Sequence, residues 1–444
     1  MPVDDAIKNR YKAEARFFRA YAYFHMVERY GDVPLVLKTL DYDSEELEMG
    51  RTPKAEVAAQ IYEDLDFAAE WLPDFQEVPK ADYGRVTKSA AMALKARIGL
   101  FLGTYGKFHG ESGYEEHLQK AVDAASFVME QGHTLFEDYG DLFQHEGEGP
   151  SNTENIFVKL YGENSANVIL GHNYSRDLEN GRASITRNLI RQYLYTDGLP
   201  AYDEHNKLMP NRSEYYIAEG DEVDYNSIFE NRDPRLTYTL LKAGEEWATR
   251  GVWTPTTTLG SRTGYGIKKG FSAVDREING AATMDRILIR YGEVLLTYAE
   301  AKYELNESIS DGDLDRTINA LRERAGLDVK LSNAFVADHG LNMREEIRRE
   351  RNVELAIEGF RYADIIRWKL AEEVLTQDIL GAKYDEVTWI GADPKSLNLN
   401  ADDVIVVEAA STRRFDPAKD YLYPVPLNEI SLSGGNVTQN PNLK

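Results

Sequence analysis

Over the first 135 residues the apolar positions recur at the spacing of a helix, and from about 136 to 285 they do not. The run from Ala13 to Leu37 shows the first pattern best. Phe17, Ala20, Phe24 and Val27 share one face, and Phe18, Tyr21, Ala22 and His25 share a neighbouring one. Two apolar stripes predict a helix buried among other helices, with Lys12, Arg16 and Arg19 on the wet side. Gly31 supplies a left-handed stop and Pro34 forbids continuation. Further helices are expected over Lys54–Leu72, Val86–Tyr105 and Tyr114–Gln131. Ala90, Ala93, Ala96 and Gly99 recur about one turn apart, which lets helices approach closely. The pairs resemble tetratricopeptide units, without a strict repeat in sequence.

Between 136 and 285, Gly, Asn, Asp and Pro punctuate short apolar runs. A strand is expected near Ile156–Leu160 and a short helix over Thr186–Tyr195, before the turn Asp197-Gly198. The remainder reads as long ordered loops, which in compact proteins usually carry function. Helices return at Arg286–Leu305, Asp313–Ala325 and Met343–Trp368, and residues 376–444 read as irregular, with Tyr421–Pro426 extended. Asp313 is the expected N-cap and Gly326 the expected stop of the middle one. The fold class is therefore mostly α: a helical scaffold (1–135), a loop-rich region (136–285), more scaffold (286–375) and an irregular tail (376–444).

Composition narrows the function classes. With 75 acidic and 51 basic residues the chain carries −24, which disfavours nucleic acid and anionic lipid as partners. It has no cysteine, so disulfides, Cys–zinc sites and thiol catalysis are excluded. No apolar run approaches the roughly 18 residues of a membrane span. The opening MPVDDAIKNRYK has no apolar leader, which reads either as cytoplasmic or as a leader removed. The 27 Tyr and 5 Trp suit interfaces and carbohydrate faces.

Catalytic signatures are missing. No nucleophile elbow, zincin, dinucleotide or phosphate-loop motif occurs. Asp311, Asp313 and Asp315 begin like a calcium loop, but Arg316 and Arg322 occupy its glycine and glutamate positions. The eight histidines form no i, i+4 pair, so neither metal nor other cofactor is expected. Glu350, Glu354 and Glu358 fall on one face of the Met343–Trp368 helix, with Arg348, Arg351 and Arg361 at i+3 or i+4. That spacing predicts an ion-pair lattice along one helix rather than a catalytic carboxylate pair.

Eight blocks then resemble one family in order. They are Ala13–Phe17 with Arg19-Ala20, Tyr23-Phe24 and Tyr30–Pro34; Thr153–Tyr161; Tyr193–Pro200; Arg232–Leu236; Arg290–Ala301; Ile318–Gly326; Ile347–Trp368; and Tyr421–Pro426 with Gln439–Pro441. Gly292 replaces a commoner alanine, and Asn352 a commoner arginine. Together they resemble SusD/RagB-type proteins, the surface glycan-binding lipoproteins of Bacteroidota outer membranes. The resemblance implies tetratricopeptide-type helix pairs carrying a loop-rich ligand region and a few short strands. It implies a non-enzymatic role: binding oligosaccharides and closing, as a lid, over a SusC-like TonB-dependent transporter. It places the protein at the outer-membrane surface through an N-terminal lipid anchor not present in this sequence. In the family the opening block follows a leader, a lipid-bearing cysteine and further helices, so the chain reads as N-terminally truncated.

Sugar sites in this family use variable loop aromatics backed by polar groups. The candidates here are Trp247, Trp253, Tyr215 and Tyr216, with Asn226 for hydroxyl groups. An indole over a pyranose face is worth roughly 1–3 kcal/mol, which points to micromolar-to-millimolar affinity. A glycoside hydrolase and an intracellular helical-repeat scaffold are the competing readings.

Overall fold

A computed structural model describes residues 4–162, 171–247, 251–257 and 261–443. They divide into two compact units. The first takes in the chain up to 131, residues 363–372 and the tail from 415. The second takes in 132–362 and 373–414.

Two antiparallel helix pairs build the first unit. Helix α1 is Asp5–Tyr30 and α2 is Lys54–Trp71; α3 is Lys88–His109 and α4 is Tyr114–Met129. Helix α1 starts earlier than its apolar pattern shows, because Asp4 accepts from the Ala6 N–H as its cap. It ends at Gly31, where φ is +70°. The Arg19 guanidinium grips the buried Asp64 of α2 at 2.7 and 2.6 Å. Between α3 and α4 the small residues act as expected: a Cβ on Gly99 would lie 2.7 Å from the His117 carbonyl oxygen. The second stripe of α1 behaves differently from expectation. Phe17, Ala20, Phe24 and Val27 are buried, but Phe18 is 52 % exposed and Ala22 is exposed. One face of α1 meets its partners and the other meets solvent.

The second unit carries two antiparallel strand pairs. Strand β1 (Asn155–Lys159) pairs with β2 (Arg286–Arg290), and β3 (Ile379–Lys383) with β4 (Val404–Glu408). Three of these differ from the sequence reading. Arg286–Arg290 begins no helix; its short Ile-Leu-Ile run between two arginines pairs with β1 as a strand, and the helix runs Tyr291–Asn306. The tail read as irregular holds β3 and β4. The Thr186–Tyr195 helix is only Arg187–Ile190. Ser310, rather than Asp313, caps the Asp311–Asp315 helix, and Gly326 does end Ile318–Ala325.

The expected Met343–Trp368 helix breaks. It runs Met343–Glu354, turns through Ile357 (φ +70°) and Gly359 (φ +91°), and resumes at Arg361–Arg367. A β-branched residue at positive φ is strained, so the surroundings must hold it there. They do so with charge. Lys269 donates to the carbonyl oxygen of Ala356 (2.9 Å) and to Glu358 (2.8 Å), satisfying groups freed at the helix end.

The Glu350, Glu354, Glu358 lattice therefore exists, but not along one helix. Glu350 meets Arg235 (2.6 Å) and Arg322 (2.8 Å). Glu354 meets Arg235 (2.9 Å), Arg290 (2.8 Å) and Arg324, and Glu358 meets Arg290 (2.8 Å). Glu154, just before β1, completes it through Arg290 and Arg324. Burial opposes ionisation of Glu354, but Arg324, Arg290 and Arg235 hold its carboxyl far below the usual carboxylate range. Gly292 fits this crowding: a Cβ there would lie 2.3 Å from an Arg290 nitrogen that the lattice has fixed.

Candidate functional site

The β1–β2 pair, the turn at Ile357 and the segments 142–148 and 171–177 enclose a cavity of about 350 Å³ in the second unit. Phe143, Tyr161 and Tyr174 supply aromatic surface, and Asn155, Asn173, Asp285 and Arg286 supply polar groups.

Each wall has a local cause. Gly171 lets its backbone run against that of residue 281, where a Cβ would sit 2.2 Å from a Cα. The next residue, His172, bridges to Ala282. Its Nε2 pairs with the Met284 carbonyl oxygen at 2.9 Å, and its Nδ1 accepts the Tyr174 N–H at 3.1 Å. That pattern is the neutral Nε2–H tautomer, and it fixes the ring edge-on to Tyr161, 4.6 Å between centres. Gly270, at φ +75°, allows the Tyr174 ring to approach where a Cβ would lie 3.1 Å away. Burial raises the Tyr174 hydroxyl above its ordinary value, and the nearby Arg286 charge partly opposes this. Tyr174 stays 38 % exposed.

A chain of polar groups supports one side. Asp285 accepts the Tyr161 N–H at 2.9 Å, and its own N–H donates to Glu148 at 2.6 Å. Glu148 pairs with His145 Nδ1, and His145 Nε2 pairs with Asp275, each at 3.1 Å. Burial works against a charged His145, but the two carboxylates raise its imidazole above the ordinary value. Burial also pushes the Asp285 carboxyl up to about 6, with the Glu148 charge adding to it. At the floor, burial lowers the Lys269 ammonium to about 8 despite Glu358. The Asn155 amide donates to the Gly147 carbonyl oxygen at 2.8 Å, which leaves its own buried oxygen without a hydrogen-bond partner.

The five residues nominated from sequence do not gather here. Trp247 and Trp253 lie in the second unit's core and line a separate cleft of about 180 Å³. Trp247 packs on Phe271 with ring centres 3.9 Å apart, and Trp253 packs on Tyr225 and against Gly266. They are 6 % and 9 % exposed, so neither indole has an open face for a sugar ring. Asn226 spends its amide on the Ala243 backbone, donating at 3.0 Å and accepting at 2.9 Å. Tyr216 bonds Tyr202 through their hydroxyls at 3.1 Å, and Tyr215 is 39 % exposed outside both hollows. Sequence reading missed Tyr161 and Tyr174 because nothing in the local pattern separates a cavity tyrosine from a packed one. It missed Arg286 because that stretch was read as helix.

Among the described residues, no cluster of three or more metal-ligating side chains forms, and no helix is long and apolar enough to cross a membrane.

The family model described as the SusD family matches residues 153–442, which is most of the chain and includes the whole cavity wall from β1 onward. The chain belongs to the SusD family. A second model, described as starch-binding and associating with the outer membrane, matches residues 3–100 of this SusD-family chain. A SusD-like protein of Bacteroides ovatus is 27 % identical over 376 residues, covering 82 % of this chain and 60 % of the relative. SusD-like protein P2 of Formosa agariphila is 28 % identical, covering 99 % and 75 %. The chain thus spans about three-fifths of the first relative and three-quarters of the second. A SusD-like carbohydrate-binding protein of Bacteroides fragilis has the same fold, with TM-score 0.77, 29 % identity, and coverage of 97 % of this chain and 80 % of the other. The mostly helical SusD-like fold, with helix pairs and few short strands, follows from that likeness. Proteins of the SusD family bind without catalysing, which removes the hydrolase reading.

Proposed function

We propose that this SusD-family chain binds oligosaccharide in the cavity between Tyr161 and Tyr174 and delivers it to a SusC-like TonB-dependent transporter, as its lid at the outer-membrane surface. The observation that carries the reading is the cavity itself: about 350 Å³, walled by aromatic rings and edged by hydrogen-bonding groups. That is the composition a sugar needs, with C–H faces against rings and hydroxyls against amides and carboxylates. The name of the Bacteroides fragilis relative and the outer-membrane association described for residues 3–100 support it. Attachment through an N-terminal lipid belongs to the same proposal. Trp247 and Trp253 enter it as the framework of the smaller cleft.

Native-gel retardation across a polysaccharide panel, followed by calorimetry on the retained glycan, tests the site. Tyr161→Ala and Tyr174→Ala should each weaken binding about 10–100-fold, the burial of one aromatic face. Wild-type affinity in the double variant would remove the cavity from consideration. Affinity purification of the native outer-membrane complex should recover a large β-barrel transporter, and its absence would remove the lid role alone.

A further inference from the structure

We infer that the cavity selects glycans bearing an anionic substituent, a sulfate or a carboxylate, which Arg286 and Lys159 receive at its mouth. This inference rests on the cavity being the glycan site.

The register of β1 and β2 sets Lys159 directly opposite Arg286. Directly opposed side chains of an antiparallel pair stand on the same face, and like charges there repel. Both residues are exposed. Neither makes an ion pair with any described carboxylate, although the chain holds 75 acidic residues. The Lys159 ammonium instead sits 4.8 Å from the centre of the Tyr161 ring, which lines the cavity. The Arg286 side chain lines the cavity too, on the side of Tyr174.

The carboxylates of the cavity are otherwise engaged. Glu148 holds His145, Asp177 holds Arg182 at 2.9 Å, and Glu358 holds Arg290 and Lys269. Asp285 is turned to the Tyr161 N–H. The site thus presents Arg286 in its lining and Lys159 over the Tyr161 ring, neither ion-paired to a described carboxylate, with its own anions turned to other partners. A planar guanidinium and a neighbouring ammonium match a sulfate or carboxylate, whose oxygens accept several N–H bonds at once. A bound anion would also relieve the cross-strand repulsion. The net charge of −24 disfavours long polyanions at a distance. Contact at this mouth is a local matter, and it weakens with salt over about 10 Å.

Two matched probe pairs decide it by calorimetry at about 50 mM and about 500 mM salt. One is a sulfated oligosaccharide and its desulfated form; the other is an oligogalacturonate and its methyl ester. At low salt the charged member of at least one pair should bind about tenfold or more tighter than its neutral form. The ratio should fall towards one at high salt and in Arg286→Gln/Lys159→Gln. Which pair shows it separates sulfate from carboxylate. Equal affinity of charged and neutral forms in both pairs, or an unchanged ratio in the double variant, overturns the inference. Tyr174→Ala keeps the two readings apart. If it weakens neutral and charged forms alike while the Gln pair does nothing, the cavity stands and anion selection falls. If it weakens neither, the cavity reading falls and this inference with it. Both substituted residues are exposed, so an unchanged melting midpoint confirms that folding is not what was measured.

Discussion

The Trp247–Trp253 cleft and the Tyr161–Tyr174 cavity lie in the same unit and are both lined by aromatic rings, yet they are built for different work. In the cleft the rings face inward: Phe271, Tyr225 and Gly266 pack against them, and both indoles are buried. In the cavity the rings are braced, Tyr161 by His172 and the Lys159 ammonium and Tyr174 by the backbone at Gly270, and Tyr174 stays 38 % exposed. The first arrangement spends aromatic area on folding and the second keeps it for a ligand. Which of the two an aromatic residue joins depends on what covers it.

Trp253→Ala breaks the comparison hardest. Removing a packed indole should destabilise the second unit by about 3–5 kcal/mol, read by chemical denaturation. Trp253→Phe, which keeps most of the packing, should leave glycan affinity within about twofold, a change of roughly 0.4 kcal/mol. A large affinity loss in Trp253→Phe with intact stability would return the ligand to the cleft.

The same contrast explains what could be read from sequence. Helices α1, α2 and α4 were legible because a solvent-facing helix imposes a 3.6-residue period on its own sequence, and the largely buried α3 because it is a long run rich in Ala and Leu. Strand β2 was missed because five residues, three of them apolar, run directly into a helix, and the period of 3.6 absorbs them. The break at Ile357 was invisible because its cause, Lys269, comes from 88 positions earlier in the chain and acts through carbonyl oxygens. The acidic triad of Glu350, Glu354 and Glu358 was recognised as an ion lattice. Its true partners, Arg235, Arg290, Arg322 and Arg324, come from other elements, which spacing cannot show. The cavity was illegible for the same reason. Its residues come from six stretches of chain, and the tryptophans drew attention through residue type alone.

Gly270→Ala sharpens the comparison with a smaller effect. The position needs φ +75°, and a Cβ there would meet the Tyr174 ring at 3.1 Å. The expected cost is about 1–2 kcal/mol of stability, because an L-residue is strained in that region. Affinity should fall several-fold as the ring is displaced. The counterpart beside the cleft, Gly251, precedes the lining residue Val252 and has φ +74° with no atom of the described residues within 4 Å of an added Cβ, so Gly251→Ala should show the backbone cost without the affinity loss. Equal affinity losses in both would mean that the Tyr174 ring is not the surface being read.

The smallest expected effect comes from Asp285, and it tests whether the cavity wall is as dry as its geometry implies. Burial, with Glu148 adding, lifts this carboxyl from an ordinary 3.8 to about 6. A raised folded-state value means the folded protein holds the proton more tightly than the unfolded chain does. The resulting stability is fully present below about pH 4 and is lost as the pH rises through about 6. At neutral pH the charged form is a cost, which Asp285→Asn should relieve while its amide oxygen still accepts the Tyr161 N–H. The carboxyl is only half-buried, so water screens it and the gain should be about 1 kcal/mol or less. His145, raised above 6.5, changes stability in the same direction but in a higher window, so the comparison belongs between about pH 4 and 6. Over that range the variant should gain on the wild type as pH rises. Parallel curves would mean that Asp285 stays well hydrated, and a wall that wet would hold sugars through water rather than through ring faces.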